Sequence, residues 1–111
     1  GEKGAASMKP VKITVLRMQM YEDLAKEFLT EGVCPCDFYT EGQSFLYTGG
    51  AERPEGFCPW AWIDIYRSVN ALATGSTFTP WQKREGVNAV CCTDGIRPVT
   101  FLLEALEDVS P

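Results

Sequence analysis

Pro59-Trp60-Ala61-Trp62-Ile63-Asp64-Ile65-Tyr66-Arg67-Ser68-Val69-Asn70-Ala71-Leu72-Ala73-Thr74 reads as one amphipathic helix. Trp62, Ile65, Tyr66, Val69, Leu72 and Ala73 recur at helical spacing, which gives a stripe able to cover a sheet. Asp64, Arg67, Ser68 and Asn70 fall on the opposite side, so Asp64 is expected to be solvated or paired with Arg67 or Ser68. Pro59 suits the first turn because it has no N–H to lose there, and Gly75 can end the helix.

The flanking segments change period from 3.6 to 2. Toward the N-terminus, Val11–Met18 alternates, with Val11, Ile13 and Val15 on one face and Lys12 and Thr14 on the other, as a half-buried strand does. Tyr21–Leu29 follows at helical spacing, with Glu22 and Asp23 in its first turn and Gly32 as the expected C-terminal cap. After the loop Cys34-Pro35-Cys36-Asp37, Phe38–Thr40 and Ser44–Thr48 flank Glu41-Gly42-Gln43 and predict a hairpin. Toward the C-terminus, Val87–Cys92 predicts a strand, Asp94-Gly95 a two-residue turn and Arg97–Leu106 the returning strand. Pro98 cannot donate to a ladder, so that strand is expected to be an edge or to start late. The order is roughly β-α-β-β-α-β-β. It predicts an α+β domain, a small and mostly antiparallel sheet with two helices packed on it. One domain is expected over residues 9–107, with a flexible leader or cloning remnant at 1–8 and a frayed tail at 108–111.

Composition narrows the partners. Ten Lys and Arg against fifteen Asp and Glu leave a net charge of −5, with no basic excess to track phosphates, so nucleic acid is an unexpected partner. No apolar run is long enough to span a bilayer, and an anionic membrane surface is equally unexpected. The five cysteines are odd in number and nothing marks the chain for export, so a cytoplasmic location with free thiols, metal ligands or redox chemistry is expected, not a disulfide framework. There is no histidine, which removes Ser-His-Asp and Cys-His nucleophile pairs.

Cys58 precedes the long helix, where free backbone N–H groups favour a thiolate. It is the best single functional cysteine, although Cys58-Pro59-Trp60-Ala61 lacks the second sulfur of a redox C-x-x-C. Cys91 and Cys92 adjoin on a strand and should point to opposite faces. With a two-residue turn, Cys92 would stand opposite Arg97 and Cys91 opposite Pro98. Cys34 and Cys36 are too closely spaced for the usual zinc pair. A metal site would draw on Cys36, Cys58 and Cys92, with zinc or an iron–sulfur cluster as the fitting ions. The plainer alternative is that the thiols pack as small hydrophobes. Asp94 is the residue its turn demands, Trp60 and Trp62 belong to core or ligand pocket, and Trp81 is expected to be exposed at an interface.

Three stretches resemble a family of small uncharacterised prokaryotic proteins of about ninety residues. They are Cys36 with Glu41-Gly42-Gln43-x-Phe45, Pro54-Glu55-Gly56-Phe57-Cys58-x-Trp60-Ala61-Trp62-x-Asp64-Ile65, and Cys91-Cys92-Thr93-Asp94-Gly95-x-Arg97-Pro98-Val99-x-Phe101. The likeness covers roughly Met8 to Glu107 and brings no activity with it. It implies that Cys36, Cys58, Cys91 and Cys92 belong to the family pattern and that Cys34 is this chain's own addition, with Asp37 where proline is expected. The leading expectation is therefore a thiol site, metal-binding or redox, for an unspecified small-molecule ligand. The alternative is a non-catalytic binding or assembly module whose cysteines are structural, with a homo-oligomer as one expected partner state. An enzyme with Cys58 as nucleophile ranks last.

Overall fold

The computed structural model describes residues 8–107, so the expected leader, Met8 apart, and the expected tail lie outside the described residues. The chain is α+β. Strands β1 (Val11–Met18), β2 (Ser44–Tyr47), β3 (Val87–Cys91) and β4 (Val99–Ala105) form one antiparallel sheet in the order β2-β1-β4-β3. Helices α1 (Glu22–Phe28) and α2 (Pro59–Ala73) complete the fold.

Alternation in β1 places Val11, Ile13 and Val15 on the covered face, where they pair across the ladder with Ala105, Leu103 and Phe101 of β4. A shift in register between Val15 and Arg17 inserts Leu16 as an extra residue. This bulge reverses the parity of the strand end, so Met18, opposite Val99, packs on the core in place of Arg17. On the other edge, Tyr47 and Phe45 of β2 point to the same face.

Helix α2 covers that face. Ala61, Trp62, Ile65, Val69, Leu72 and Ala73 are buried, in agreement with the stripe in its sequence. Its end is a Schellman motif: Gly75 takes φ +99°, its N–H donates to Leu72, and the Ser76 N–H donates to Ala71. Helix α1 has no buried residue, and Tyr21, Leu24 and Phe28 along it are exposed despite their helical spacing. It stops at Phe28 with Leu29 extended, so Gly32 serves the following turn and not the cap.

Two local expectations give way to long-range pairing. Phe38–Thr40 is not a strand, because β2 pairs with β1 instead. The intervening residues close a turn in which Gln43 N–H donates to Thr40 and Gly42 N–H to Val15. The segment released from the ladder turns Tyr39 inward, to 6% exposure. Likewise the β3–β4 connection is not a two-residue hairpin. Cys91 pairs with Thr100, and Cys92 N–H donates to Val99, so neither cysteine stands opposite Arg97 or Pro98. The Asp94 carboxylate accepts the N–H groups of Ile96 and Arg97 at 3.0 and 2.8 Å, holding a wider loop that no ladder could. β4 starts late, at Val99, and is central in the sheet; Pro98 sits before it, and its carbonyl accepts from Gln19.

Candidate thiol site

Three segments far apart in the chain meet at one end of α2. Cys58 is the N-cap residue of the helix, Cys36 comes from the loop after α1, and Cys92 lies just past the end of β3. All three line a cleft of about 300 Å³, together with Tyr39, Trp60, Ala61, Asp94, Arg97 and Val99. Cys36 and Cys58 are half-buried; Cys92 is 8% exposed, and its sulfur accepts the Val99 N–H at 3.4 Å. Cys91 is exposed on the opposite face of the strand, as adjacency demands. Cys34 is exposed outside the cleft, with its thiol directed at the Gly32 carbonyl.

Tyr39 had no motif to announce it. Its ring packs edge-on against Phe38, Phe45 and Phe101 and tilted against Phe57. Its hydroxyl oxygen accepts the Cys58 N–H at 3.2 Å. Burial pushes the phenol well above its ordinary value. The Cys58 hydrogen bond works against that, while negative charge on Cys58, Cys36 or Cys92 would reinforce it. The phenol is therefore neutral throughout the working pH range. The one signal in sequence was the aromatic pair Phe38-Tyr39 after Cys34-Pro35-Cys36-Asp37, which a strand assignment explains equally well.

The rim is polar. Asp94 and Arg97 form an ion pair, Nε to Oδ2 at 3.5 Å, and Arg97 Nη1 donates to the Cys34 carbonyl at 2.8 Å. Partial burial alone would raise the Asp94 pKa, but the Arg97 and Ile96 N–H groups and the Arg97 charge outweigh it and hold the carboxyl below its ordinary value. Trp60, 66% exposed, donates from Nε1 to Thr93 Oγ1 at 3.2 Å. The Thr93 N–H and hydroxyl in turn donate to Asp64, at 2.8 and 3.0 Å. Asp64 is thus neither free nor joined to Arg67 or Ser68; it ties α2 to the β3–β4 loop. Trp62 lies in the core beside Tyr47, Phe57 and Tyr66.

The expected metal set fares differently. Among the described residues no three Cys, Asp or Glu side chains are grouped closely enough to hold a metal ion. Cys36, Cys58 and Cys92 share a cleft without forming a ligand cluster, because the cleft also holds the Tyr39 phenol and the Cys92 sulfur is directed at the Val99 N–H. Zinc or an iron–sulfur cluster has no assembled donor set there. Among the described residues no helix is long and apolar enough to cross a membrane. No protein-family model, curated protein or solved structure matches the chain.

The depressed Asp94 pKa has a sign. Its contribution to stability is complete above the unfolded-state value of 3.8 and is lost as pH falls through the lower folded-state value. Asp94→Asn keeps an oxygen for the two N–H groups but not the charge. The variant is expected to lose less stability than the parent between about pH 4 and pH 2, as followed by urea midpoints. Parallel pH curves would show that the carboxylate charge does not matter.

Proposed function

We propose that the chain is a small thiol-site protein whose working centre is the Cys36–Cys58–Cys92 cleft. One observation carries the reading: three cysteines from three separate segments line the same small cavity around a buried phenol. The chemistry that suits them is reversible exchange with a small disulfide. A cleft thiolate attacks one sulfur, the S–S bond breaks, a mixed disulfide forms, and the other half leaves as a thiolate that takes up the proton. A small thiol reverses the step. Membership of the ninety-residue prokaryotic family is part of this proposal. Its support is that Cys36, Cys58, Trp60, Ala61, Cys92, Asp94, Arg97 and Val99, all within the three quoted motifs, also line the cleft.

Thiol titration of native protein by mass spectrometry tests the reading. Cys34 and Cys91, both exposed, are expected to react as ordinary surface thiols. At least one of Cys36 and Cys58 is expected to react faster than either, despite lower exposure. Cleft thiols that stay inert until denaturation would overturn the proposal and leave them as packing groups.

A second reading, a binding or assembly module, draws on exposed apolar side chains: Trp60 at 66% and Ile63 at 78% on α2, and Trp81 at 86% in the loop before β3. Sedimentation analysis of the parent and a Trp81→Ser variant separates the two readings. Concentration-dependent association that the variant loses favours assembly.

A further inference from the structure

The cleft has a composition that restricts its occupant. Its lining is Tyr39, Trp60, Ala61, Val99 and the three thiols, beside Asp94 and Arg97. Its charged groups, Asp94 and Arg97, are already paired, and Arg97 is further committed to the Cys34 carbonyl. A charged ligand would find no free counter-charge there, and it would have to surrender its hydration to an apolar wall. An apolar ligand pays no such penalty. At about 300 Å³ the space lies at the small end of ligand cavities.

Two side chains supply orientation. The Tyr39 oxygen already accepts the Cys58 N–H, and among the described residues its own O–H has no acceptor. That proton is available to an acceptor atom in the cleft. Because the phenol stays neutral, it remains a donor at every working pH. Trp60 lines the cleft and its Nε1 is tethered to Thr93, which Asp64 anchors, while the indole is largely open to solvent. A tethered, exposed indole offers a stacking surface for a planar ring.

We propose that the cleft selects small, uncharged molecules that carry a planar ring and a hydrogen-bond acceptor, with Trp60 stacking on the ring and Tyr39 donating to the acceptor. The proposal rests on the thiol-site reading and names its substrate class: neutral aromatic disulfides, in preference to charged aliphatic ones. Tyr39 and Trp60 are positioning residues for the sulfur that exchanges.

Two probes and a non-reactive analogue test it. Dipyridyl disulfide and cystine are compared for exchange with native protein, each rate divided by that with urea-denatured protein. The aromatic probe is expected to show a ratio at least about tenfold higher. Trp60→Ala is expected to reduce that preference about fivefold to tenfold, and Tyr39→Phe, which keeps the ring, to reduce it by a similar factor. Equal ratios for the two probes would overturn the selectivity. Bipyridine, which has no exchangeable bond, is titrated separately by calorimetry. Binding of bipyridine with inert thiols would uphold the cleft's selectivity and sink the thiol chemistry. Reactive cleft thiols with equal normalised ratios for the two probes would do the reverse.

Discussion

Phe101→Ala is expected to destabilise the domain by about 3–5 kcal/mol. Phe101 is fully buried at the centre of β4, itself a central strand, so the cavity cannot be filled by movement at an edge. Its ring lies 5.4 Å from that of Tyr39, edge-on, and 5.3 Å from that of Phe57. Truncation removes both aromatic contacts along with the burial. Since domains are stable by only about 5–15 kcal/mol, the variant is expected to populate unfolded chains at moderate temperature. A lower urea midpoint with an unchanged slope checks this; an unmoved midpoint would mean that the site collapses around the deletion. The same substitution frees the ring of Tyr39, so cleft chemistry is expected to decline before global unfolding is complete.

Cys58→Ser is expected to cut the rate of the fast native thiol by about a hundredfold, since a serine hydroxyl is not ionised near neutral pH and is far the weaker nucleophile. The choice of Cys58 follows from its place in the cleft. Cys92 is almost fully buried and its sulfur accepts the Val99 N–H. Cys58 is half-buried, so a small molecule can reach it, and its backbone N–H is fastened to the Tyr39 oxygen. Cys91→Ser, on the opposite face, is expected to leave the fast rate unchanged. Stopped-flow exchange with dipyridyl disulfide reads both. A fast phase that survives Cys58→Ser would transfer the role to Cys36.

Much of the architecture was legible because it rests on periodicity. The alternation of β1 and the stripe of α2 are each decided by residues within one element, and both hold in the structure. Cys91 and Cys92 were separable for the same reason, since neighbours on a strand face opposite ways. What periodicity could not supply was competition between partners. Phe38–Thr40 looks like a strand beside Ser44–Thr48, but β1 offers β2 a longer ladder, and the displaced segment delivers Tyr39 to the cleft. Asp94-Gly95 carries the signal of a tight turn, yet Pro98 has no N–H for the ladder that such a turn would begin, and the Asp94 side chain takes the Ile96 and Arg97 N–H groups instead. Of the expected thiols, Cys36, Cys58 and Cys92 line one cleft and Cys91 does not, and no ligand cluster forms among the described residues. The phenol of that cleft, and the Trp60–Thr93–Asp64 tie, depend on contacts between residues whose separation in the chain hides them.

The walls of the cleft are drawn from residues 36 to 99, across the loop after α1, the start of α2 and both ends of the β3–β4 connection. Those segments meet only once the sheet and α2 are assembled, so an occupant recognises only the folded chain. Binding energy is then added in full to resistance against melting: a compound present at a hundred times its Kd raises stability by about 2.7 kcal/mol. Heat denaturation can therefore serve as a screen for compounds that occupy the cleft.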